Sequence, residues 1–145
     1  MKTKSENFTL VALGNPGKDY ELNRHNTGRI ILNLYLQENN FPSLEYDKKT
    51  NSLKSEKKNI LILFPETFMN KSGNALIKII TSKKKADNLV ILHDDLDIPL
   101  GKFKISFNRG AAGHKGVESI IRALKTKEFT RVRIGISPKT PSGKL

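Results

Sequence analysis

The groups able to do chemistry gather in a few short stretches of the chain. His25 stands among Arg24, Asn26 and Gly28, near the start of an expected helix. A neutral imidazole takes a proton from water near pH 7, and a helix N-terminus disfavours the imidazolium. A lone histidine is more often structural, and it becomes a general base when a carboxylate orients it. His93-Asp94-Asp95-Leu96-Asp97 supplies carboxylates, with three of the chain's 14 acidic residues in one short run. Such clustering of like charge costs energy unless cations, a metal or function offset it. His93 and the aspartates also have the ligand types of a metal site. One aspartate fixing the tautomer of His25 is the simpler use, and the residues themselves leave Asp94 and Asp95 as equal choices.

Three further stretches offer hydrogen-bond donors and close backbone approach. In Asn15-Pro16-Gly17-Lys18, Pro and Gly suit the central positions of a type II turn, and Pro16 forces Asn15 into an extended conformation. The Asn15 amide would then be held at a strand end, although an ordinary turn accounts for the same residues. In Phe68-Met69-Asn70, Asn70 can donate to a carbonyl or oxyanion and Met69 can form a soft pocket wall. The plainer alternative makes Asn70 a helix N-cap above core Phe and Met. Arg109-Gly110-Ala111-Ala112-Gly113-His114-Lys115-Gly116 opens a helix with small residues, which admits a ligand close to the backbone and favours anions. It matches neither the P-loop pattern nor GxGxxG, and no GxSxG elbow occurs in the chain.

These stretches need elements to hold them. Apolar runs at residues 8–13, 60–64 and 89–92 read as buried strands. Residues 44–46 and 52–56 read as weak edge strands guarded by Lys and Glu, 102–107 as a half-exposed strand, and 132–136 as a last strand. Helical spacing of apolar residues marks 27–37, 74–80 and 117–124, and Lys83-Lys84-Lys85 reads as a solvated loop. Strands alternating with helices predict a single-domain α/β fold with a mixed, mainly parallel twisted sheet flanked by helices. Ligands bind such sheets outside the carboxyl ends of the strands. The segments after the three buried strands are the ones that carry Asn15, Asn70 and the His-Asp-Asp run.

Bulk composition bounds the partners. Lys plus Arg number 26 against 14 Asp plus Glu, a net charge of +12, which suits a polyanion as well as it suits a merely basic solvated surface. With no cysteine, disulfides, thiol catalysis and cysteine-bound zinc are excluded. The first nine residues are polar, without the apolar stretch of a signal peptide, and the apolar runs are too short to span a bilayer. A soluble cytoplasmic protein is the expectation.

The segments LVALGNPGKDYELNRHNTG, FPETFMNKSG, ILHDDLDIPLGKFKI, AAGHKG and RVRIGI, taken together and in this order, resemble the bacterial peptidyl-tRNA hydrolase family. The resemblance runs from residue 9 to residue 136. It implies hydrolysis of the ester between peptide and tRNA by a cytoplasmic monomer, with no cofactor, no metal and no membrane partner. It implies His25 as general base and Asp94 as its orienting partner. Asn15 and Asn70 would bind the peptide and developing oxyanion beside Met69, and Tyr20 would line the acceptor side. His114 and Lys115 would stand at the cleft mouth, and Arg133 with Lys102 or Lys104 would meet the tRNA terminal phosphate. Two departures stand out. The family commonly has Asn where this chain has Lys115, and relatives continue into a C-terminal helix beyond the point where this chain reaches Leu145. The expectation is therefore a single domain over 1–145 without that helical segment.

Overall fold

The computed structural model describes residues 6–17 and 26–138. In chain order the elements are β1 (Phe8–Ala12), α1 (Thr27–Glu38), β2 (Glu45–Asp47), β3 (Ser52–Lys57), β4 (Ile60–Pro65), a 3-10 segment (Met69–Ala75), α2 (Lys83–Asp87), β5 (Leu89–Pro99), β6 (Phe103–Phe107), α3 (Lys115–Leu124) and β7 (Thr130–Ser137). The strands form one seven-stranded sheet in the order β2-β3-β4-β1-β5-β7-β6. The four central strands β4, β1, β5 and β7 are parallel, while β3 and β6 pair antiparallel to their neighbours. This is the mixed α/β sheet that the alternation of strand and helix signals predicted.

Alternation along the central strands divides the core in two. Val11, Leu13, Leu63, Leu89 and Ile91 point to one face and pack with Leu76, Ile80, Val117, Ile120 and Phe129. Ala12, Ile62, Phe64 and Leu92 point to the other and pack with Leu32 and Leu36 of α1. Each such fully buried aliphatic side chain contributes about 1.5–3 kcal/mol of transfer free energy.

Two close approaches bring helices onto the sheet edge where the chemistry gathers. A Cβ at Gly28, in the first turn of α1, would lie 2.5 Å from the Leu92 carbonyl oxygen. A Cβ at Gly116, in the first turn of α3, would lie 2.6 Å from Met69 Sδ and 2.8 Å from Leu13 Cδ1. At Gly28 the obstacle is backbone and cannot rotate away. Gly28→Ala should therefore destabilise the protein by about 1–3 kcal/mol, as overpacking typically does. Chemical denaturation reads this directly, and an unchanged midpoint would mean that α1 does not press on β5.

Several local expectations are corrected. Residues 74–80 do not form a helix: the 3-10 segment ends at Ala75, and Leu76, Ile79 and Ile80 make turn hydrogen bonds instead. The chain is held there by Gly73, whose N–H donates to Ser119 Oγ at 2.9 Å and whose Cα faces the α3 backbone. Lys83-Lys84-Lys85 is not a loop but the start of α2, because the Ser82 side chain caps the Lys85 N–H. The third buried strand does not stop at Leu92. It runs to Pro99, so the His-Asp-Asp run lies within β5, paired to β7 through His93, Asp94 and Asp95. Of the two weak strands only β2 is an edge, since β3 is paired on both sides. β6 is more exposed than an alternating half-buried strand, with Phe103, Ile105 and Phe107 all open to solvent.

Candidate active site

A cavity of 580 Å³ opens beside the segments that follow β1 and β4 and the His93–Asp97 stretch of β5. Asn15, Met69, Asn70, Asp94, His114, Lys115 and Arg133 all line it, together with Phe68, His93, Leu96 and Arg131. Lys102 and Lys104 are exposed and not part of its lining. His25 and Tyr20 lie outside the described residues.

Asn15 is held on three sides. Its N–H donates to Asn26 Oδ1 at 2.8 Å, and its carbonyl accepts from Asn26 Nδ2 at 2.8 Å. Its own Oδ1 accepts from the Met69 N–H at 2.7 Å. The acceptor end of the Asn15 amide is thus occupied, which leaves its NH2 end as the one able to donate to a ligand carbonyl or oxyanion. Gly17, at φ +99°, has the left-handed conformation that the third position of a type II turn requires. Asn26 is the residue that reading the sequence missed. It occupies the N-cap position of α1 but makes no cap, because both ends of its amide serve the Asn15 backbone. Its burial to 3% exposure in a polar run beside His25 is a signal only the folded chain reveals.

Met69 packs against the α3-side core and meets the start of α3. Asn70 does not cap a helix. The 3-10 segment begins at Met69 with Phe68 in the cap position, leaving Asn70 exposed in the first turn at the cleft.

Asp94 is buried to 2% exposure, and its Oδ1 lies 2.9 Å from His114 Nε2. His114 is the N-cap of α3, and its Nδ1 accepts from the Gly116 and Val117 N–H groups at 3.1 and 3.3 Å. With Nδ1 accepting, the proton sits on Nε2 and is donated to Asp94. His114 lines the cavity and joins Asp94 across 20 residues of chain. Lys115 is largely exposed, 4.0 Å from Glu118.

The second aspartate does different work. Asp95 Oδ2 accepts from Arg133 Nε at 2.8 Å, while Arg133 Nη1 donates to Ser106 Oγ. Burial by itself would raise the Asp95 carboxyl, but the Asp97 N–H and Arg133 outweigh it and hold it below its ordinary range. Arg133 is thus engaged in an ion pair as well as facing the cleft. The two aspartates thus differ in partner, the His114 imidazole for Asp94 and the Arg133 guanidinium for Asp95.

His93 lies under the pair. Its Nδ1 is 2.7 Å from the Asp94 carbonyl oxygen, and its ring meets the His114 ring edge-on at 4.6 Å between centroids. Burial, then His114 and Arg131, push its pKa down to about 4, so it is neutral at ordinary pH. Arg131, equally buried, donates from Nη2 to the Gly110 carbonyl and anchors the loop leading to His114. His93 Nε2 and Arg131 Nη1 are two of the three buried side-chain polar atoms left without a partner among the described residues. No group of three or more His, Asp or Glu among the described residues is arranged to hold a metal ion.

The chain matches the model of a family described as peptidyl-tRNA hydrolase over residues 9–144. It is 39% identical over 140 residues to a peptidyl-tRNA hydrolase of Thermodesulfovibrio yellowstonii, covering 89% of this chain and 71% of that one. It is 40% identical over 131 residues to one of Lactobacillus gasseri, covering 88% of this chain and 70% of that one. A crystal structure of the Acinetobacter baumannii peptidyl-tRNA hydrolase superposes with a TM-score of 0.83 at 28% identity, covering 97% of this chain and 74% of that one.

Proposed function

Since the chain belongs to the peptidyl-tRNA hydrolase family, we propose that it hydrolyses the ester bond between a peptide and tRNA, with His25 activating water. The observation that carries this reading is Asn15, which lines the same cavity as Asp94 with its backbone clamped by Asn26 and its side-chain oxygen taken by the Met69 N–H, so that the NH2 is the end left to serve as donor.

In the reaction, water attacks the ester carbonyl while His25 takes its proton, and Asp94 steadies the resulting imidazolium. The Asn15 NH2, with Asn70 next to the Met69 that holds Asn15, donates to the oxyanion as it forms. Met69 and Phe68 offer apolar surface to the peptide. Tyr20 lines the acceptor side, and the ribose hydroxyl leaves with the tRNA. His114, donating to Asp94, shares that carboxylate with the base. Lys115 at the rim puts a cation where relatives commonly have an amide. The protein acts in the cytoplasm as a monomer, without cofactor or metal. No helix among the described residues is long and apolar enough to cross a membrane.

The tRNA terminal phosphate meets Lys104 and Arg133, which are paired across β6 and β7, with Lys102 at the approach. Binding should weaken steeply with salt, because neutralising phosphates releases counterions. Lys104→Ala and Arg133→Ala should each flatten the log–log salt slope by about one unit. Slopes unchanged in both variants would remove the phosphate site from this face. The activity itself is tested by release of free tRNA from purified peptidyl-tRNA in the presence of a chelator, compared with aminoacyl-tRNA bearing a free amine. Loss of activity with the chelator would instead favour the metal chemistry open to His93 and the aspartates.

A further inference from the structure

We propose that His93 is a positioning residue: its neutral imidazole braces both members of the His114–Asp94 pair, donating to the Asp94 backbone and packing edge-on against the His114 ring. The inference rests on the reading of Asp94 as the residue that orients the base.

His93 and Asp94 are consecutive in β5, so their side chains leave the strand in different directions. The His93 ring nevertheless folds back so that Nδ1 lies 2.7 Å from the Asp94 carbonyl oxygen. A carbonyl only accepts, so Nδ1 carries the proton and Nε2 is bare. That bare nitrogen is buried without a partner among the described residues. A buried acceptor without a partner carries an uncompensated desolvation cost. An apolar residue of the same shape would avoid this cost, so core packing alone does not explain a histidine here. What the imidazole supplies, and a phenyl ring would not, is the N–H that pins the Asp94 peptide unit.

Pinning that unit sets where the Asp94 carboxylate points. The carboxylate accepts from His114 Nε2–H, and the His114 ring lies against His93. His93 thus touches both ends of a bond it does not join. The charged or titratable groups around it are His114 at the start of α3, Arg131 and Arg133 on β7, and Asp94 and Asp95 on its own strand. Burial, with His114 and a guanidinium nearby, keeps the ring neutral, and the bond to the Asp94 carbonyl fixes its one proton on Nδ1.

The test compares His93→Phe, which keeps a ring against His114 but loses the donor, with His93→Asn, whose amide N–H can reach the same carbonyl. The intact chain is used, and the substrate is peptidyl-tRNA. His93→Phe should lower kcat about tenfold with KM changed less than about twofold, the pattern of a group acting on the transition state rather than on binding. His93→Asn should recover most of that loss. In parallel, proton–nitrogen NMR of the free protein reads the His114 Nε2–H held by Asp94. That signal should shift or be lost to exchange in His93→Phe and persist in His93→Asn. A wild-type kcat and an unmoved His114 signal in folded His93→Phe overturn the proposal. So does equal damage in both variants, since the donor would then not matter. The NMR arm needs no substrate, so it stands or falls separately from the assignment of Asp94 to the base.

Discussion

Replacing His25 by alanine is expected to lower turnover by about 10²–10⁴-fold while leaving tRNA affinity largely intact. The loss falls on kcat because a general base acts only as the proton moves, whereas phosphate contacts hold the tRNA in ground and transition states alike. The motive is the position of His25 in the chain. It is one peptide bond from Asn26, and Asn26 is buried and bonded to both backbone groups of Asn15. The next residues begin α1, which presses on the β5 backbone through Gly28 just before Asp94. Single-turnover rates and filter binding separate the two effects. A folded His25→Ala protein with near-normal turnover would end its role as base.

Asn15 carries the second large expectation. Asn15→Asp keeps an oxygen to accept the Met69 N–H and leaves the backbone clamp with Asn26 untouched, so the fold should hold. It replaces the NH2 donor with a carboxylate oxygen, which repels a developing oxyanion. Removing one oxyanion donor typically costs about 10²–10³ in kcat, and placing a negative charge there should cost at least as much. Asn15→Ala should lose a comparable factor and also some stability, because the Met69 N–H is left without its acceptor. The measurement is kcat at saturating substrate beside thermal unfolding of both variants. Full activity in a stable Asn15→Asp protein would show that the amide serves only the turn.

Both expectations depend on features that differ in how legible they are in the sequence. The buried strands β1 and β4 could be read from their apolar runs, and α1 and α3 from helical spacing, because burial by two neighbouring layers imposes those patterns locally. The rule that ligands sit beyond the carboxyl strand ends then pointed to Asn15, Asn70 and Asp94. The rest depended on partners far along the chain. The His93-Asp94-Asp95 run read as the segment following a strand that ends at residue 92, yet β7 holds it in the sheet and Arg133 offsets Asp95. The helix signal over 74–80 was overridden by Gly73, where the α3 backbone comes close enough to exclude any side chain. The role of Asn26 exists only because the chain returns to Asn15, and that of His114 only because α3 starts beside β5. No local pattern encodes such meetings.

The central claim is that water cleaves an ester under the control of this cleft. Its most direct test is hydrolysis of purified peptidyl-tRNA by the 145-residue chain in water enriched in heavy oxygen, followed by mass analysis of both products. Attack at the carbonyl predicts that the released peptide carries the label in its new carboxylate, that the tRNA carries none, and that His25→Ala suppresses the reaction. Label in the tRNA, or no release of tRNA by the wild-type chain, would contradict it.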